Sequence, residues 1–116
     1  MSKIAVIGSR SFLDFNFFSA KLEYLLQNTE EIEFVSGGAI GTDRLCKRYA
    51  EENNYKITEF LPDYEKYSGK VAPLKRNHQI VEAAQMLIAF TTGSSGTAYT
   101  IKLAEKKGIP IRIIKV

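Results

Sequence analysis

Two stretches of this chain carry the same residue types at the same spacing. Residues 36–43 read SGGAIGTD and residues 91–98 read TTGSSGTA, so that Gly38, Gly41 and Thr42 are echoed by Gly93, Gly96 and Thr97. A third stretch, GSRSF at residues 8–12, also follows an apolar run. Glycine permits positive φ and lets a ligand come close to peptide N–H groups. A helix that starts directly afterwards adds unpaired N–H groups and a partial positive charge, a combination suited to phosphate. A tight turn with no ligand is the competing reading for any one of these loops. No Lys-Ser or Lys-Thr pair follows the glycines, so none is a P-loop, and the first lacks the G-x-G-x-x-G pattern of ordinary dinucleotide binding.

Charged residues near these loops sharpen the chemistry. Arg10, just after Gly8, has the fork geometry to grip a phosphate in two places. Arg76 falls in the first turns of an expected helix, where the dipole favours an acid, so a partner anion explains it better. Asn77 can orient Arg76 or a ligand hydroxyl. Asp43 opens a helix, where capping or a hydrogen bond to a ribose hydroxyl ranks ahead of catalysis. Asp63 and Glu65 read as solvated loop acids. His78 has no acid or thiol cluster at ligand spacing around it, so no metal site is expected. Cys46 lies on the apolar side of its helix and reads as packing. Tyr64 and Tyr67 flank a polar stretch and either stack on a base or anchor the loop.

The elements that must position these residues alternate. Expected strands are KIAVIG (3–8), IEFVSGG (32–38), YKITEFL (55–61), QMLIAF (85–90) and IPIRIIKV (109–116). Expected helices cover 15–28, capped by Asp14, then 42–53, then 74–84 with Pro73 in the first turn, and 97–107 stopped by Gly108. Residues 62–71 form a longer loop. Strand–helix alternation implies right-handed crossovers and a parallel sheet with helices on both faces. In such a sheet, ligands sit outside the carboxyl ends of the strands where strand order reverses. All three glycine loops follow strands and fall on that edge.

The chain has 116 residues, which suits a single domain spanning 1–116. With 45% hydrophobic and 25% charged residues it has the composition of a globular protein. No apolar run approaches the ~20 residues of a bilayer span, and no basic leader precedes an apolar segment, so neither a membrane partner nor secretion is expected. The single cysteine cannot make an internal disulfide, in keeping with a cytoplasmic location. The formal charge of +3 suits an anionic ligand without requiring nucleic acid. Phe12, Phe15, Phe17 and Phe18 exceed what one amphipathic stripe needs, which points to a homo-oligomer interface.

Taken in order, IAVIGSRSF, VSGGAIGTD, DYEKY, APLKRN and TGSSGT cover almost the whole chain and resemble the YspA-like proteins of the SLOG superfamily. That superfamily also holds the LOG-type phosphoribohydrolases, the Smf/DprA-type DNA-processing proteins and the molybdenum-cofactor carrier proteins. The resemblance implies a Rossmann-like three-layer α/β sandwich with a five-stranded parallel sheet in the order 3-2-1-4-5. It also implies binding of a nucleotide or nucleotide-derived small molecule, as a sensor, carrier or sequestering domain, with no resident cofactor. Ligand positions would be Gly8, Ser9 and Arg10; Ser36, Gly37, Gly38, Gly41, Thr42 and Asp43; Arg76 and Asn77; and Gly93, Ser94, Ser95, Gly96 and Thr97. Tyr64 stands where relatives commonly have Trp, and Ala72-Pro73 where they often have Ala-Gly.

The phosphoribohydrolases carry a P-G-G-x-G-T-x-x-E motif whose glutamate is needed for cleavage. Here the stretch is TGSSGTAYT, with Thr92 for the proline, Ser94 for the second glycine and Thr100 for the glutamate. Threonine has no proton to exchange near neutral pH. Arg76 keeps the place of the upstream arginine. The expectation is therefore binding rather than hydrolysis. The alternatives are a nucleotide hydrolase using another acid, Asp43 or a middle-loop acid, and single-stranded DNA binding along Lys66, Lys70, Lys75 and Arg76.

Overall fold

A computed structural model describes residues 2–116. The chain runs β1 (Ser2–Gly8), α1 (Phe15–Leu26), β2 (Ile32–Ser36), α2 (Thr42–Glu52), β3 (Lys56–Glu59), α3 (Ala72–Ala83), β4 (Met86–Thr91), α4 (Ser95–Lys107) and β5 (Ile111–Lys115). The five strands form one parallel sheet in the order β3-β2-β1-β4-β5. This is the α/β Rossmann-like architecture expected. Among the described residues, no helix is long and apolar enough to cross a membrane.

β1 is central because Ile4, Ala5, Val6 and Ile7 are apolar on both faces and fully covered. The strand alternation then sorts the core into two halves. Ile4, Val6, Phe34, Ile88 and Phe90 face α1 and α2, meeting Phe18, Leu22, Leu26, Leu45, Cys46, Tyr49 and Ala50. Ala5, Ile7, Val35, Leu87 and Ala89 face α3 and α4, meeting Ile80, Val81, Ala84 and Ala104. The first half is aromatic: Phe90 stacks on Phe12 at 5.4 Å and lies 4.8 Å from Phe18. The second is rich in alanine, which lets α3 and α4 approach the sheet closely.

Local signals set the helix ends. The Asp14 carboxylate accepts the Phe17 amide at 3.0 Å and caps α1. Gly108 ends α4 in the left-handed region at φ 85°. α1 stops at Leu26, two residues early, and α4 starts at Ser95, two residues before the expected Thr97. β3 is shorter than the YKITEFL run and does not alternate cleanly.

The phenylalanine surplus is largely absorbed. Phe12 and Phe18 are buried, Phe15 lies beneath the Arg48 guanidinium at 3.8 Å, and only Phe17 of the four is exposed. These residues therefore build the core beneath α1, and three of them do not support the interface inferred from their number.

Candidate functional site

Strand order reverses between β1 and β4, and the carboxyl ends of those strands open a crevice. A cavity of about 480 Å³ lies there. Ile7 and Gly8 at the end of β1, with Ser9 and Arg10 after it, form one wall. Thr92, Ser94, Gly96, Thr97 and Thr100, after β4 and along α4, form another wall. Pro73, Leu74, Arg76, Asn77 and Ile80 of α3 close the third side, with Ala39, Asp43 and Ser11 at the margins.

Ser9 joins the three loops. Its hydroxyl hydrogen-bonds the Thr92 hydroxyl at 2.9 Å and accepts the Thr92 amide at 2.8 Å. Its carbonyl accepts the Thr42 hydroxyl at 2.9 Å and the Thr42 amide at 3.3 Å. Ser9 and Thr42 are both buried. The loop after β1 is thus tied to the loop after β2 and to the loop after β4.

This tying explains two glycines. A Cβ on Gly8 would collide with the Phe90 carbonyl and the Thr42 side chain. A Cβ on Gly41 would collide with the Arg10 backbone, and Gly41 also has φ 77°, where side chains are strained. These glycines let backbone approach backbone. Gly96 differs, since nothing lies within 4 Å of its Cβ direction and it faces the cavity.

The positions expected to contact a ligand divide accordingly. Gly8, Ser9, Arg10, Asp43, Arg76, Asn77, Ser94, Gly96 and Thr97 line the cavity. Ser36, Gly37, Gly38, Gly41, Thr42, Gly93 and Ser95 are not among its lining residues. Ser36 is completely buried. Ile7, Ser11, Ala39, Pro73, Leu74, Ile80, Thr92 and Thr100 line the cavity without having been singled out as ligand positions. Helical spacing signals Pro73, Leu74 and Ile80, since 73, 76, 77 and 80 share one face of α3 and 74 lies three residues before 77.

Arg76 is held from within. Its Nη1 donates to the Gly37 carbonyl at 2.6 Å and, more weakly, to the Phe60 carbonyl at 3.5 Å, while Nε donates to Asn77 Oδ1 at 2.9 Å. It therefore bridges the exits of β2 and β3 to α3. Burial pushes the guanidinium below its ordinary value; the Asp43 carboxylate and Tyr64 oppose that shift, and nearby Arg10 reinforces it. Arg10 itself is exposed at the cavity mouth.

Asp43 is the buried acid of the site, 8% exposed. Burial pushes its carboxyl above the ordinary value near 3.8. The Ala39 amide, donating to Oδ2 at 3.1 Å, and the Arg76 guanidinium oppose that shift. The Ser36 hydroxyl also favours the carboxylate electrostatically, although it lies outside hydrogen-bonding geometry. Thr100, 2% exposed, sits deep in the wall and returns its hydroxyl to the Gly96 carbonyl at 3.0 Å. No side chain caps α4; the Ser94 hydroxyl is instead paired with the Thr97 hydroxyl at 3.0 Å. The exposed cation Arg10, the open start of α4 and an apolar wall on α3 thus surround one cavity.

A family model described as the YspA, cpYpsA-related SLOG family matches residues 2–67, more than half of the chain. The chain belongs to that family. The match covers β1 through β3 and the segment beyond, including the first two glycine loops. No curated protein matches the chain. Among solved structures, this SLOG chain is similar to DNA processing protein A (DprA) from Streptococcus pneumoniae, with a TM-score of 0.77 and 20% identity over 97% of this chain and 50% of that one. It is similar to DprA from Helicobacter pylori, whose structure concerns single-stranded DNA binding, with a TM-score of 0.75 and 21% identity over 97% of this chain and 64% of that one. The Moco carrier protein from Chlamydomonas reinhardtii gives a TM-score of 0.75 and 18% identity, with 99% of this chain and 77% of that one covered. The SLOG chain therefore spans only half to just under two thirds of the length of the DprA structures it matches. At these identities the likeness is one of fold.

Proposed function

We propose that the cavity binds a nucleotide or nucleotide-derived small molecule and releases it unchanged, residues 2–116 acting as one binding domain. One juxtaposition carries this reading: Arg10 and the uncapped start of α4 face the same 480 Å³ space as the apolar wall of Pro73, Leu74 and Ile80. A phosphate suits the first side and a flat base the second. Gly96, open to the cavity, lets the phosphate approach the α4 amides. Asn77 and Asp43, which also line the cavity, offer polar groups suited to ribose hydroxyls.

Release without cleavage rests on the acids. Thr100 offers a hydroxyl already committed to a backbone carbonyl. Asp43 holds the Ala39 amide and serves the loop before α2. Mass spectrometry of ligands released from the purified protein tests the binding reading. A phosphorylated small molecule should accompany the wild type and be depleted from Arg10→Ala. Incubation with a panel of nucleotides should return them intact; free base or ribose phosphate would establish the hydrolase alternative instead.

Single-stranded DNA is the second reading, favoured by the exposed Tyr64 beside the exposed Lys66, Lys70 and Lys75. A mobility-shift assay with oligonucleotides across a salt series separates the two, because DNA binding weakens steeply with salt. The buried free thiol of Cys46 suits the cytoplasm. A homo-oligomer would use the exposed Leu13, just ahead of α1, and the exposed Phe17 and Tyr24 on α1; light scattering on the eluted protein measures its mass.

A further inference from the structure

A second cavity, of about 330 Å³, lies between residues 62–71 and the outer flank of α3. We infer that it is a separate site for a compact oxyanion such as phosphate, independent of the nucleotide reading of the first cavity. Two cations from different elements line it. Lys66 Nζ, on the loop, lies 5.4 Å from the centre of the Tyr67 ring, and Lys75 Nζ, on α3, lies 5.7 Å from the same centre. Both lysines line the cavity, and neither has a carboxylate within ion-pair distance among the described residues.

The acids of the cavity do not neutralise this pair. Asp63 Oδ1 is engaged by the amides of Glu65 and Lys66, at 3.2 and 3.1 Å, and so holds the turn of the loop. Glu82 lies two turns along α3 from Lys75. Arg76 lines both cavities and adds its charge to this one while its Nη1 stays on the Gly37 carbonyl. Both ammonium groups lie within cation–π reach of the Tyr67 ring. Ammonium groups are compact point charges that suit a small oxyanion, and these two line one cavity without an ion-pair partner among the described residues. Because Arg76 lines both cavities, a phosphoryl group on the ligand of the first cavity is the competing source of the anion.

Amide NMR with potassium phosphate, against potassium chloride at matched ionic strength, tests the inference. Phosphate should give saturable shifts at Lys66, Tyr67, Lys75 and Gln79 that chloride does not reproduce. They should persist in Arg10→Ala, and the affinity should fall roughly tenfold in the double variant Lys66→Gln/Lys75→Gln, whose substitutions lie on the surface. A parallel titration with adenosine monophosphate separates the sources. Shifts with phosphate alone identify a free-anion site, whereas shifts appearing only with the nucleotide and vanishing in Arg10→Ala would assign the lysines to the first cavity and overturn a separate site. Identical responses to phosphate and chloride would also overturn it, as screening. Failure of the nucleotide to bind leaves the phosphate titration unaffected, so the two readings fall separately.

Discussion

Glycines that look alike in the sequence do different work. Gly8 has no room for a methyl group because the Phe90 carbonyl and Thr42 press against it. Gly96 has open space and helical backbone. Gly8→Ala should cost about 1–3 kcal/mol through overpacking, seen as a lower urea midpoint. Gly96→Ala should keep or raise stability, by up to about 1 kcal/mol, yet weaken nucleotide binding in calorimetry because its methyl group fills part of the cavity. Equal losses of stability in both would show that the two loops are constrained alike. Asp43 makes a second contrast at this scale. Its folded-state carboxyl is raised by burial, so the folded protein holds a proton that the unfolded chain releases near 3.8. Its contribution to stability is therefore fully present below that value and is lost as pH rises through the raised folded value. Asp43→Asn should remove this slope and leave the protein relatively more stable at neutral pH, measured by urea unfolding from pH 3 to 8. A steeper fall in stability toward acid in the wild type than in the variant would reverse the sign.

At the scale of elements, α3 and α4 are joined through one lysine. Lys107 Nζ donates to the carbonyls of Val81, Glu82 and Ala84 at 2.9, 2.7 and 2.9 Å and so closes the carboxyl end of α3 from the last turn of α4. Lys107→Met should cost about 1–2 kcal/mol, whereas Lys106→Met on the adjacent exposed position should be near neutral; thermal unfolding compares them. The sequence makes EKKG look like a solvated helix end, because nothing local distinguishes Lys107 from Lys106. The same limit explains the glycine loops. Strand runs, the Asp14 cap and the Gly108 stop are written within a few adjacent residues, so the element order and a parallel sheet are legible directly, whereas the strand order follows from the family resemblance. Whether Gly8 and Gly41 face a ligand or another loop depends on Phe90, Thr42 and Arg10, some of them dozens of residues away. The cavity edge is legible from strand ends, whereas the α3 wall of Pro73, Leu74 and Ile80 is not, because the polar Arg76 and Asn77 interrupt those apolar positions.

For the molecule as a whole, β1 and β4 carry side chains into both halves of the core. The halves should therefore unfold together. Phe90→Ala on the aromatic side and Leu87→Ala on the alanine-rich side should each lower the same single transition, by about 2–5 kcal/mol. Near- and far-ultraviolet circular dichroism should remain coincident in both variants. Two separated transitions would mean that the halves are independent.

The Ser9 junction limits how this scaffold can change. A residue inserted in any of the three strand-exit turns would pull on the other two through one hydroxyl and one carbonyl. α3 lines the same opening without that tether to Ser9. Selectivity for a new guest is thus most readily re-engineered on that flank, and a library diversified there should keep more folded members than one diversified in the turns.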